Sequence, residues 1–425
     1  MSVAAKITLL FVVFVDLLGQ GLVFPIINGL IMEPGSGFLP EQVSGSARHV
    51  DYGLVMGMFF LAWFLGVAYM ARISDAIGRK NTLLICFFGA LVGYVLTIIS
   101  LYIDSLWLLI FGRAVTGFTA GNQPVAQAAM IDGSVDDADR DRNMGYIVTG
   151  ISFGLVGGPI IGGILADKSL LGSVAGYKAP FYGALIIVIV AIVMVQVFFK
   201  DVSAERKPFV FRPLEVFEVL WRVTKYPPVL RLMPVYVFFM IANFSFYIFM
   251  DNYLTSAFGY GVIGSSVAMG VIGIALACSS TFLVVPTQER FDKQQIIGFT
   301  LVIWAICAIA FIASPNAVLC FVPLFVFYCC FGVAYPTILG IFSASISAAE
   351  QGWVMGITTA VFTLVGGVMS LTGGEMMSVD IRLPFYVVIA AALLGAVSIV
   401  VTWNTPEIRR RTQMLVRPAG STASD

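Results

Sequence analysis

The sequence predicts an all-α polytopic membrane protein, with twelve transmembrane helices in two pseudo-symmetric six-helix bundles. Three observations carry that prediction. First, 59% of the 425 residues are apolar, only 11% are charged, and mean hydropathy is +0.95. Soluble chains carry roughly 25% charged residues, and no soluble core could bury so much apolar surface. Second, the apolar residues fall into twelve runs, each long enough to cross a ~30 Å hydrocarbon layer. Third, the two halves of the chain echo each other.

The spans are read at 6–31, 51–71, 81–102, 106–131, 144–166, 180–199, 232–256, 262–286, 295–314, 317–345, 353–375 and 384–403. With both termini inside, 19 Lys and Arg fall on the cytoplasmic side. Four fall outside (Arg48, Lys168, Lys178, Arg382), and Arg113 lies within a span. That asymmetry satisfies the positive-inside rule. The first run is too long for a signal-peptide core and has no small-residue cleavage site, so it is retained as span 1. Domain boundaries follow: 1–199 for the first bundle, 200–231 for a cytoplasmic linker, 232–404 for the second bundle, and 405–425 for a short basic tail containing Arg409-Arg-Arg411. In the linker, Leu214, Phe217, Leu220 and Trp221 share one helical face, with Glu218 and Arg222 on the other. This pattern predicts an amphipathic helix on the inner leaflet.

The internal echo is specific. Ala179-Pro-Phe-Tyr182 opens span 6 and Leu383-Pro-Phe-Tyr386 opens span 12, an offset of 204. Met144-Gly145 with Leu155-Val-Gly-Gly158 in span 5 corresponds to Met355-Gly356 with Leu364-Val-Gly-Gly367 in span 11, an offset near 209. Parallel six-helix repeats are a transporter plan, with the substrate site between them at mid-depth.

Within span 1, Asp16 opens the stretch Asp-Leu-Leu-Gly-Gln-Gly-Leu-Val-Phe-Pro. Counted from Lys6 at about 1.5 Å per residue, it lies roughly 15 Å deep, near the membrane centre. An acid there is costly and is read as functional, the alternative being a cap or hydrogen bond to a neighbouring helix in a dry interface. In span 4, Arg113 lies about 13 Å down from Asp104 and needs a partner. Depth counting leaves Asp16 as that partner, because Asp251 and Glu375 count to the outer surface. Polar residues in spans face protein or water rather than lipid, so Gln20 and Phe24, Asn122, Gln123 and Gln127, and Asn243 and Tyr247 are candidate lining of a substrate cavity. Trp63 and Phe153 are read as packing. With Arg113 the sole cation in this zone, strongly anionic substrates are disfavoured.

The loop Ala71-Arg-Ile-Ser-Asp75-Ala-Ile-Gly78-Arg79-Lys80 resembles the signature between spans 2 and 3 of the major facilitator superfamily, with Ala71 and Ala76 as departures. The resemblance implies that Asp75, Gly78, Arg79 and Lys80 form a conformational latch between the two halves. The residues alone also fit a simple topogenic turn. A degraded copy, Gln288-Glu-Arg-Phe-Asp-Lys293, follows span 8. Arg113-Ala-Val-Thr-Gly117 resembles the same superfamily's span 4 signature, which implies proton transfer by Arg113 with Asp16. In span 5, Gly150, Gly154, Gly158 and Gly162 repeat every four residues, giving a smooth packing ridge, and Pro159 removes a backbone bond. Gly154, Gly158, Pro159, Gly162 and Gly163 also match the superfamily's antiporter signature. Together these stretches resemble the tetracycline-type branch of twelve-helix drug:proton antiporters. Gln20 and Asn28 depart from that pattern.

The expected function is secondary active transport, proton-coupled efflux of a small organic molecule or drug by alternating access. The alternative is a proton-coupled uptake permease for a small nutrient, or an exporter of an endogenous metabolite such as a siderophore. The expected partners are the substrate, protons and the lipid bilayer, with no nucleic acid and a monomeric state. No catalytic constellation, cofactor site or metal site is indicated. The six Cys sit in apolar runs, His49 is read as solvated in a polar loop, and Asp136–Arg142 as a solvated cytoplasmic loop. Short outer loops, and a sequon (Asn243-Phe-Ser245) confined to span 7, suit a bacterial inner membrane.

Overall fold

The computed structural model describes residues 1–201, 215–347 and 350–404. Linker residues 202–214, which include Leu214, and the predicted basic tail lie outside the described residues.

Side-chain caps start the first helices where the apolar runs begin. Ser2 accepts from the N–H of Ala5 to start α1 (Val3–Met32), and Ser44 accepts from Ala47 to start α2 (Gly45–Ile77). Gly78, at φ +96°, closes α2 and opens α3 (Arg79–Ser100). That backbone angle is one glycine tolerates. The fourth crossing is split into α4 (Leu106–Phe118) and α5 (Asn122–Asp132). The first bundle is completed by α6 (Asp137–Ala166), the short α7 (Lys168–Leu171) and α8 (Ala179–Phe198). The linker contributes α9 (Glu215–Arg222). The second bundle contains α10 (Pro227–Phe258) and α11 (Val262–Cys278), which runs through a π-turn into α12 (Val284–Arg290). Four further helices follow: α13 (Lys293–Ala313), α14 (Ala317–Ala344), α15 (Gln351–Val379) and α16 (Leu383–Thr402).

Among the described residues, eleven helices are long and apolar enough to cross a membrane. The twelfth crossing is the broken pair, whose segments of 13 and 11 residues are each too short alone. Apolar side chains such as Trp107, Val318 and Val401 project outward from the bundle surface. A hydrocarbon solvent accepts that arrangement and water does not.

The two bundles meet where α2 runs along α15, α11 crosses α6, and α1 reaches α10 and α11. Small residues set the approach. A Cβ on Gly53 would meet the Ser370 carbonyl at 2.5 Å, and one on Gly374 would meet the His49 carbonyl at 2.8 Å. At the end of the molecule away from Met1, Tyr52 donates to the carbonyl of Ile248, Ser46 to that of Ser378, and the Asn28 amide to Thr255 Oγ1. These bonds join the two bundles at that end. At the Met1 end, Leu220 of α9 packs against the cluster of Phe64 and Ala360, and Trp221 is 72% exposed. Arg222 reaches Glu350 and stacks over Trp353, tying α9 to the start of α15.

Candidate functional site

The break in the fourth crossing organises the site. At Thr119-Ala120-Gly121 the helix tightens, with Ala120 donating to Gly117 and Gly121 to Thr119, and α5 restarts at Asn122. Pro124 sits in the first turn of α5, where its missing N–H costs nothing. The new N-terminus faces α1. Asp16 meets it there, its carboxylate against the side-chain amide of Asn122 and the backbone N–H of Gln123. The partial positive charge of a helix N-terminus favours such a carboxylate. Even so, Asp16 Oδ2 is buried without a hydrogen-bond partner among the described residues.

The expected Asp16–Arg113 ion pair is not present. Arg113 is 3% exposed and lies over the Phe59 ring at 4.2 Å, with its Nε unpartnered among the described residues. Depth counting placed the two residues at one height, but it could not supply the helix break that gives Asp16 a different partner. They share a cavity of about 30 Å³ instead, walled also by Gly19, Gln20, Phe59, Tyr94, Thr116, Asn122 and Val188. A water needs roughly 10–15 Å³ in this measure, so the space holds about two waters and no organic substrate. All its walls belong to the first bundle. Tyr94 and Phe59 were not singled out from sequence, because an aromatic in an apolar run carries no signal of its own.

The predicted cavity residues therefore divide. Gln20 and Asn122 line the small chamber with Asp16 rather than a space between the halves. Gln123 and Gln127 are half-buried on α5. Phe24 is fully buried at the seam between bundles, its ring 5.4 Å from Tyr247 and 6.4 Å from Phe60. From there, aromatic rings continue through Phe244, Phe362 and Tyr328. Asn243 is buried beside them, its side-chain oxygen unpartnered among the described residues. Trp63 belongs to this aromatic seam as well, packed 6.2 Å from Phe60 and 6.0 Å from Phe362 of the second bundle. Phe153 faces outward, 67% exposed.

In the loop between α2 and α3, Arg79 pairs with Asp75 at 2.9 Å and with Asp132 at 3.0 Å. Lys80 donates to the Gln196 carbonyl. The α3 N-terminus is met by Asp201, which accepts from the N–H groups of Arg79 and Lys80; Asp75 does not fill that place. A Cβ on Gly78 would lie 2.0 Å from Asp201 Oδ2. These contacts of Asp75, Arg79 and Lys80 lie within the first bundle and its exit.

The glycine ridge of α6 receives α1. Cβ atoms on Gly150, Gly154, Gly158 and Gly162 would meet the carbonyl oxygens of Leu10, Phe14, Leu18 and Leu22 at 3.0, 2.6, 2.5 and 3.2 Å. Pro159 rests on Gly21, and Gly163 faces Ser266 across the seam. The ridge thus lets the helix that carries Asp16 lie close against α6.

Two readings of polar residues are corrected. His49 is not solvated: it is 6% exposed inside α2, beside Asn252. Asp136–Arg142 is not a loop but the start of α6, capped by Asp136. There Asp139 pairs with Lys6 at 2.9 Å and Arg142 at 2.6 Å, which together hold its carboxyl well below the usual range. Asp251 lies near the outer end of α10, the height that counting gave it, and is completely buried there, whereas Glu375 is exposed. Hydropathy distinguishes water from apolar surroundings, not lipid from protein.

Comparison with known proteins agrees with this architecture. The Major Facilitator Superfamily profile matches residues 9–370. The tetracycline resistance protein, class C, of Escherichia coli is 26% identical over 376 residues, covering 87% of each chain. The quinolone resistance protein NorA of Staphylococcus aureus (strain MRSA252) is 25% identical over 401 residues, covering 92% of this chain and 95% of NorA. Among solved structures, a D-xylose-proton symporter superposes with a TM-score of 0.74 at 16% identity, covering 97% of this chain and all of the symporter. The human organic anion transporter MFSD10 superposes with a TM-score of 0.70 at 17% identity, covering 93% and 98% of the two chains.

Proposed function

Because this chain belongs to the Major Facilitator Superfamily, we propose that it is a proton-coupled exporter of small aromatic organic molecules, working by alternating access. Proton and substrate occupy different places. Asp16 takes and releases the proton in the water-sized chamber of the first bundle, with Arg113 supplying a fixed positive charge at its wall. The substrate binds along the aromatic seam of Phe24, Tyr247 and their neighbours, with Asn243 as a polar contact. Gly154, Gly158, Pro159 and Gly162 hold α1 against α6, so that a change at Asp16 is felt at Phe24, while Gly163 admits Ser266 of α11. Asp75, Gly78, Arg79 and Lys80 form a latch that engages the second bundle in the opposite conformation.

The asymmetry of the basic residues supports a cytoplasmic Met1 end. On that orientation the conformation described here is closed to the outside. We assign the chain to a bacterial inner membrane, where one copy suffices because both halves of the pathway lie in one chain. It is a transporter and not an enzyme. Tetracycline and a quinolone are the first substrates to test, since relatives bear those names.

The observation that carries this reading is the Asp16 carboxylate, half shielded at a broken helix and sharing a small cavity with Arg113. The test is transport in proteoliposomes with Asp16→Asn. Flux driven by an imposed pH gradient should be lost, while substrate exchange without a gradient persists. If the gradient still drives full flux in Asp16→Asn, Asp16 is not the proton site.

A further inference from the structure

A second buried acid lies far from the Asp16 chamber. Asp251 of α10 is 0% exposed, and both its carboxylate oxygens lack a hydrogen-bond partner among the described residues. It sits in the outer seam, where the two bundles touch through Asn28 and Thr255 and through Tyr52 and the Ile248 carbonyl. The groups around it come from several elements. Ser265 of α11 faces the carboxylate, and Glu33, beyond the end of α1, acts on it electrostatically. Tyr52 of α2 interacts with it electrostatically, and His49 of α2 faces the neighbouring Asn252. Asp380 and Arg382, before α16, act on Tyr253 instead.

Among the described residues, no cation is paired with this carboxylate. Arg48 is buried at the same end, but its guanidinium is taken by the carbonyls of Val43, Ile31 and Pro40. Glu33 is held by the Tyr177 hydroxyl at 2.6 Å. An ionised carboxylate offers about four acceptor sites and finds one hydroxyl here, next to another acid. Leaving a charge in such a place is prohibitive, and adding a proton removes it. A metal cation would need six or more oxygen ligands, whereas Asn28 turns its amide nitrogen, a donor, toward Thr255 and Ser265.

We propose that Asp251 is a second proton-binding site, distinct from Asp16, and that its proton holds the outer seam closed. The proton is taken from external water before the bundles meet. It returns there when they part and the ionised carboxylate becomes hydrated. Asp251 thereby makes the outer gate sensitive to external pH. This inference rests on the alternating-access reading, which pH-gradient-driven flux of the unaltered protein tests separately.

The experiment places spin labels at Gln42→Cys and Val379→Cys, exposed positions on the outer ends of the two bundles, and measures their separation from pH 5 to 9. In the otherwise unaltered protein the separation should be short at acid pH and lengthen as pH rises. Asp251→Asn should stay short throughout, Asp251→Glu should keep a pH response, and Asp16→Asn should still open. If Asp251→Asn fails to fold, Asp251→Thr takes its place with the same expectation. The proposal is overturned if the neutral variant follows the unaltered curve. It is also overturned if the unaltered seam ignores pH, or if sodium at fixed pH closes it as acid does.

Discussion

Adjacent glycines in α6 give opposite predictions for one added methyl group. A Cβ on Gly158 would lie 2.5 Å from the Leu18 carbonyl, 3.0 Å from the Leu22 nitrogen and 3.1 Å from the Gly21 Cα. All three are backbone atoms, so no side chain can swing away, and α1 and α6 must separate by nearly 1 Å to restore ordinary contact. Overpacking of this kind costs about 1–3 kcal/mol. One residue earlier, a Cβ on Gly157 would find only the Phe14 ring at 3.6 Å, an ordinary contact. There the substitution gains helix propensity, up to about 1 kcal/mol. Thermal unfolding of both variants in the same detergent is the assay, because detergent, lipid and unfolded-state effects are shared. Gly158→Ala should melt several degrees below the unaltered protein and Gly157→Ala at or above it. Gly158→Ala should also slow pH-driven transport, because Leu18 lies two residues from Asp16. Equal melting temperatures for the two variants would refute the close approach of α1 to α6, and with it the account of how Asp16 is positioned.

Further predictions follow from the same geometry. Phe59→Leu removes the ring beneath Arg113, an interaction worth about 2 kcal/mol when desolvated, so proton-driven flux should fall roughly tenfold or more while substrate exchange is spared; paired flux and exchange assays check this. Phe24→Leu removes an aromatic contact worth about 0.5–1.5 kcal/mol, so the KM for an aromatic substrate should rise up to about tenfold, with the dependence on the pH gradient unchanged. At the start of α6, Lys6 and Arg142 depress the Asp139 titration. The sign follows from linkage: a depressed carboxylate contributes stability above its unfolded value, ~3.9, that is lost as pH falls through the lower folded value. The melting difference between Asp139→Asn and the unaltered protein should therefore be constant from pH 5 to 8 and shrink under strongly acid conditions.

What could be read from the sequence, and what could not, divides along physical lines. Crossings are visible because an apolar run of a given length has a single solvent in which it is stable. The glycine ridge is visible because a four-residue period of missing side chains needs no partner to be recognised. The break at Thr119–Gly121 left one faint trace, Pro124, whose ring forbids a continuous helix but is comfortable in a first turn. Read as a helix start, it would have pointed the Asn122 end at Asp16. Azimuth has no trace at all. Counting residues gives height in the membrane, which is why Asp16 and Arg113 were set as partners and why Asp251 was given its height but not its burial.

The placement of the two acids bears on coupling more than either does alone. Asp16 is enclosed within one bundle, and Phe24 lies eight residues further along the same helix, about 12 Å away by helical rise. A carboxylate that never touches the substrate can influence it only by moving something both depend on, and α1 is the element they share. On one side α1 is seated on the ridge of α6, with Gly21 under Pro159. At its far end it carries Asn28, whose amide reaches Thr255 and Ser265 across the seam around Asp251. One helix therefore connects the Asp16 chamber, the aromatic seam and the outer gate. A rigid helix pressed against a glycine surface without interlocking side chains can slide or turn with little repacking. The same smoothness that lets α1 and α6 approach so closely is what lets a protonation event at one height alter contacts at two others.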